Sequence, residues 1–67
     1  MTYEKAWNIL ETQALEFFLK LQKEELGKVD KTTVRDFIRN KFEIEEFDND
    51  VIIFTDEYGQ LYNHDIE

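Results

Sequence analysis

Apolar side chains in the first third of the chain recur at spacings of four and three. Tyr3, Trp7, Leu10, Ala14, Phe17 and Leu21 form the line, with Ala6 and Phe18 beside it. That period predicts one amphipathic helix over residues 3–26. Thr2 suits its N-cap, Glu4 falls in its first turn, and Gly27 suits the left-handed residue just past its end. About 24 residues at about 1.5 Å each make a rod of about 36 Å, long enough to span the whole protein. A short second helix is expected after Asp30, which can cap it, with Val34, Phe37, Ile38 and Phe42 on the buried side.

After residue 42 the period drops from about four to two. Phe42-Glu43-Ile44-Glu45 alternates, and Glu46-Phe47 breaks the alternation as a bulge or a strand end would. Asp48-Asn49-Asp50 is a turn sequence, and Val51–Thr55 is the strongest strand signal in the chain. Asp56-Glu57-Tyr58-Gly59 reads as a type I turn closed by a glycine at positive φ, leading into Gln60–His64. The fold class is α+β: a long N-terminal helix, a short second helix, then a two- or three-stranded antiparallel meander. Trp7, Leu10, Phe17, Leu21, Phe37, Ile38, Ile53 and Phe54 are the expected core.

The long helix has apolar residues left over. At about 100° per residue, Leu15, Leu19 and Leu26 fall together, well away from the centre of the main line. They mark a candidate self-association face, and with it a possible homodimer, unless the domain wraps around them.

Sixty-seven residues make one domain, residues 1–67, whose core is thin. There is no cysteine, which removes disulfides and zinc–thiolate sites together. A single histidine, His64, offers no imidazole cluster, and no apolar run is long enough for a membrane span. Met1–Lys5 does not open a secretory signal, so a reducing, cytoplasmic setting is expected.

Charge changes the picture most. All eight basic residues lie in residues 1–41, where they nearly balance the acids. Residues 42–67 contain no Lys or Arg but nine acids: Glu43, Glu45, Glu46, Asp48, Asp50, Asp56, Glu57, Asp65 and Glu67. An anionic half of this kind repels phosphate backbones and attracts basic grooves.

Little in the chain suits catalysis. It has no serine, no cysteine nucleophile and no glycine-rich phosphate loop, so no enzyme is expected. Asp48-Asn49-Asp50 begins like a calcium loop, but Ile52 and Ile53 stand where a third ligand and a glycine belong. No metal and no cofactor follow from the sequence.

The expected function is therefore binding. Glu43, Glu45, Glu46, Asp48, Asp50, Asp56 and Glu57 are the candidate contacts to a basic protein surface, for instance one that ordinarily holds nucleic acid. Carboxylates engage Arg and Lys much as phosphates do, which makes a DNA mimic conceivable. Size and acidity resemble the small accessory proteins with which phages and mobile elements inhibit host nucleic-acid enzymes. An antitoxin or immunity protein neutralising a basic toxin would use the same electrostatics. A third reading starts from Lys31, Arg35 and Arg39, one row of the second helix, with Lys41 close by. Followed by a hairpin, that row resembles in layout the recognition helix and wing of winged-helix DNA binders. The acidic hairpin is wrong for a phosphate contact.

Overall fold

The computed structural model describes residues 1–67 and is α+β as expected, helices first and then a three-stranded antiparallel sheet, with three helices where two were expected. The helices are α1 (Tyr3–Gln13), α2 (Leu15–Leu26) and α3 (Val34–Lys41). The strands are β1 (Phe42–Phe47), β2 (Val51–Asp56) and β3 (Leu61–Asp65), paired in the order β1-β2-β3.

The rod expected over residues 3–26 is interrupted. Ala14 leaves helical geometry (φ −108°, ψ 19°) and divides it into α1 and α2. Neither proline nor glycine stands there. The break instead coincides with a tertiary anchor, because Gln13 bonds to the far end of the chain. Its Oε1 accepts from the Glu67 N–H at 3.0 Å and lies 2.9 Å from His64 Nε2. Thr2 caps α1 as expected, its Oγ1 accepting from the Lys5 N–H at 3.1 Å. Gly27 closes α2 in the left-handed region at φ 73°. The third helix starts later than its capping aspartate suggested. Asp30 Oδ1 accepts from the Thr32 N–H and hydroxyl, residues 31–33 form a turn, and the helix begins at Val34.

The three helices cover one face of the sheet. Ala6, Trp7 and Leu10 of α1, Phe18 of α2, and Val34 and Ile38 of α3 bury themselves against Phe42, Ile52 and Phe54. At the centre Phe18 meets Phe42 and Phe54, ring centroids 5.3 and 5.9 Å away. Phe17, expected in the core, is instead 41% exposed, and Phe18 takes its place. Adjacent helical positions point about 100° apart, so only one of the pair can enter the core. Leu21 and Ile53, also expected there, are only half-buried; Ile53 lies between Ile52 and Phe54 in β2 and so faces the other side of the sheet. Trp7, Leu10, Phe37, Ile38 and Phe54 are buried as expected.

One polar side chain is enclosed with them. Gln22 Oε1 accepts from the Asp30 N–H at 2.9 Å, and its Nε2 donates to Thr33 Oγ1 at 3.3 Å. It thus ties α2 to the connection that follows it. The whole measures 34 × 23 × 16 Å, so its long dimension is close to that of the expected rod. No helix is long and apolar enough to cross a membrane.

Candidate functional site

The sheet register decides which acids are free. Phe42, Ile44, Phe47, Ile52, Phe54 and Tyr62 occupy one set of paired positions, the set turned toward the helices. The alternate set occupies the outer face: Glu43 beside Thr55 and Leu61, Glu46 beside Ile53 and Asn63, Val51 beside Asp65. A bulge between Ile44 and Glu46 inserts Glu45 as an extra residue, so of the two causes offered for the broken alternation the bulge is the one present, with the strand running on to Phe47. Glu45 turns to the same outer face, where its Oε1 accepts from Thr55 Oγ1 at 3.1 Å.

No helix covers this outer face. Val51 and Ile53 form a half-buried apolar centre, and Leu61 is 63% exposed. Glu43, Glu45 and Glu46 border it on the β1 side and Asp65 on the β3 side, with Asp50 in the turn beside them; all five are exposed. None of these five carboxylates makes an ion pair. They are spread over a surface, and no three acidic or histidine side chains converge as a metal site would require.

The other three candidate acids are engaged within the fold. Asp48 Oδ1 accepts from the N–H groups of Asp50 (2.7 Å) and Val51 (2.9 Å), closing the β1–β2 turn. Those bonds, Asp50 first, hold its carboxyl below the usual aspartate range. Asp56 does the same for the β2–β3 turn: Oδ1 accepts from the Tyr58 and Gln60 N–H groups, and Oδ2 from the Tyr62 hydroxyl at 3.0 Å. Loss of surrounding water pushes Asp56 up, but the donors from Gln60, Tyr58 and Tyr62 together outweigh it and bring it down. Tyr62 is correspondingly raised, by loss of water first and by Asp56 second. Glu57 pairs with Lys41 at 3.4 Å.

Comparison with known protein families found no match, and neither a curated protein nor a solved structure matches the chain.

Three of the eight basic residues, Arg35, Arg39 and Lys41, are held in ion pairs. Arg39 bonds Glu4 at 2.6 Å and Glu11 at 3.1 Å, and Arg35 bonds the same two carboxylates at 2.9 and 3.4 Å. The hydrogen bond from Arg39 holds Glu4 below the usual carboxylate range against the opposing loss of water, and Arg39 itself is raised, chiefly by Glu4. Its guanidinium also lies 5.4 Å from the centre of the Trp7 ring. Lys41 is held by Glu25 at 3.3 Å as well as by Glu57, and both raise it, Glu25 the more. The partners are thus acids of α1 and α2 and Glu57. Of the row Lys31, Arg35 and Arg39, only Lys31 has no ion pair. The largest surface cleft, about 390 Å³ where α3 meets β1, is bridged by the same Lys41–Glu57 pair.

The leucines read as one stripe do not share one free surface. Leu15 and Leu19 are half-buried against the core, whereas Leu26 at the end of α2 is 54% exposed.

Proposed function

We propose that this chain is a small interaction protein that docks the acidic outer face of its sheet onto a basic surface of a partner protein. The observation that carries this reading is the segregation of charge in space. Arg35, Arg39 and Lys41 are neutralised by Glu4, Glu11, Glu25 and Glu57, while Glu43, Glu45, Glu46, Asp50 and Asp65 stay unpaired around an open apolar strip. An apolar centre ringed by charge of one sign has the anatomy of a protein interface: the centre supplies contact area, the ring supplies selection and speed of encounter. The partner groove favoured by this chemistry is one rich in Arg and Lys, such as a surface that ordinarily holds nucleic acid, occupied here in the manner of an inhibitor. A basic toxin held by an antitoxin-type neutraliser would present the same chemistry, and the identity of the partner separates the two.

The experiment is affinity capture of the partner followed by binding kinetics at several salt concentrations. Glu43→Lys with Glu46→Lys should slow association at least tenfold and flatten its salt dependence. Glu16→Lys with Glu24→Lys changes net charge equally, at exposed helical positions without ion pairs, and should do much less. Equal effects of the two pairs would reject a localised acidic site.

A further inference from the structure

The strand β3 borders the sheet on its open side, and register and hydrogen bonding fix which of its backbone groups are unused. The Ile66 N–H donates to the Asp50 carbonyl and the Asp56 N–H to the Gln60 carbonyl, at the two ends of the β2–β3 ladder. These pairs are in phase with Ile52–His64 and Phe54–Tyr62, so Tyr62 and His64 bond to β2. Leu61, Asn63 and Asp65 therefore aim their N–H and C=O groups away from the sheet. No further strand lies beyond β3. This edge has no proline, no lysine and no bulge, and of the usual protections it has only its shortness and the charge of Asp65.

Next to the edge, on the helix side, is a slot. A cavity of about 210 Å³ is lined by Ala14 and Phe17 on one wall and by Phe54, Tyr62, Asn63 and His64 on the other. The Phe17 ring, centred 5.8 Å from that of Tyr62, forms one wall of it and leaves 41% of the residue in water. A second cavity, about 160 Å³, continues past Phe17 along α2, between Lys20, Leu21 and Glu24. An edge strand with free backbone groups beside an apolar slot against a helix is the arrangement that receives an added strand. The backbone supplies hydrogen bonds, and the slot takes alternate side chains.

We propose that β3 and the Phe17 slot bind an extended segment of a partner protein as a fourth strand, with apolar residues at alternate positions and Lys or Arg between them. The strand would lie about 4.8 Å beyond β3. Its apolar side chains fall over the slot against Phe17, and its basic side chains fall on the outer face beside Leu61, Asn63 and Asp65. Charge selects the occupant. The outer face holds Glu43, Glu45, Glu46 and Asp65 with no base, so a second copy of this chain would bring like charges onto one continuous sheet. The basic half of the pattern rests on the electrostatic reading above, whereas the strand addition does not.

The probe is a capped eight-residue peptide alternating valine and lysine, titrated into the whole protein. Two signals are expected together: saturable binding, and at least tenfold slower amide hydrogen exchange at Leu61, Asn63 and Asp65. Asn63→Pro removes an outward N–H without touching the β2 ladder and should weaken binding at least tenfold, as should Phe17→Ala. Circular dichroism checks that both variants fold, and Glu43→Lys with Glu46→Lys should weaken binding less than either. Binding that survives Asn63→Pro but is lost with the two glutamate reversals overturns the strand addition and leaves the acidic face standing. Absence of binding at millimolar peptide overturns it too. A dimer by sedimentation, with the same three amides protected before any peptide is added, overturns the choice of occupant in favour of a second copy.

Discussion

Phe17 and Phe18 are chemically identical neighbours with opposite fates, and the contrast makes a direct test of the packing. Phe18 is fully buried among Phe42 and Phe54. Phe18→Ala should cost about 3–5 kcal/mol, the transfer of a phenyl ring plus the cavity it leaves, which approaches the whole stability of a small domain. Phe17→Ala should cost about 1 kcal/mol, since much of that ring already faces water. Urea unfolding of the two variants reads the difference, and equal losses would contradict this arrangement. The turn aspartates make a second test. Asp48 and Asp56 are held below the ordinary value near 3.9, so the folded protein releases these protons more readily than the unfolded chain. Their contribution is therefore complete above about pH 5 and is lost as pH falls through the depressed values below about 4. The urea midpoint should drop between pH 5 and pH 2.5, and Asp48→Asn with Asp56→Asn should shrink the drop, because the amide oxygen still accepts but no longer titrates.

At the scale of elements, what the sequence made legible was whatever depends on near neighbours. Strand period, both turns, the bulge after Ile44, the cap at Thr2 and the left-handed residues at Gly27 and Gly59 are all local chemistry, and all stand where the pattern put them. The break at Ala14 was not legible, because its anchor runs from Gln13 to His64 and Glu67, more than fifty residues away. Choosing Phe17 over Phe18 failed for a related reason: on a helix apolar on two sides, period alone leaves the inward direction undetermined, and the sheet decides it. Gln22 continues the Phe18 line one turn on, but a glutamine there carries no sign of being enclosed until Asp30 and Thr33 meet it. The β2–β3 turn offers the test at this scale. Gly59 sits at φ 83° with open space where a side chain would go, so Gly59→Ala meets no clash and pays only for its backbone conformation. The expected loss is about 1–2 kcal/mol, read by thermal unfolding; no loss would mean the turn relaxes to another geometry.

For the molecule as a whole, the sequence showed that charge was divided along the chain but not how it was divided in space. The seven acids proposed from residues 43–57 separate into exposed ones on the outer face and beside it (Glu43, Glu45, Glu46, Asp50) and ones engaged within the fold (Asp48, Asp56, Glu57). Asp65 joins the first group only through the pairing of β2 with β3. With a net charge of −8 and the free acids on one side, self-repulsion should outweigh the exposed ion pairs of α1 and α3. Raising salt from about 0.01 to 0.15 M shortens the screening length from about 30 to 8 Å and should raise the melting temperature. A fall would show that the Arg35 and Arg39 pairs dominate instead. The strand order β1-β2-β3 has a kinetic consequence as well. Each strand pairs with its neighbour in the chain across a tight turn, so the sheet assembles by closing short loops, with no crossover to wait for. No proline is present to isomerise. Refolding followed through Trp7 should accordingly be a single fast phase, complete within milliseconds, and the outward backbone groups of β3 should stay open to other chains after the helices have closed over the inner face.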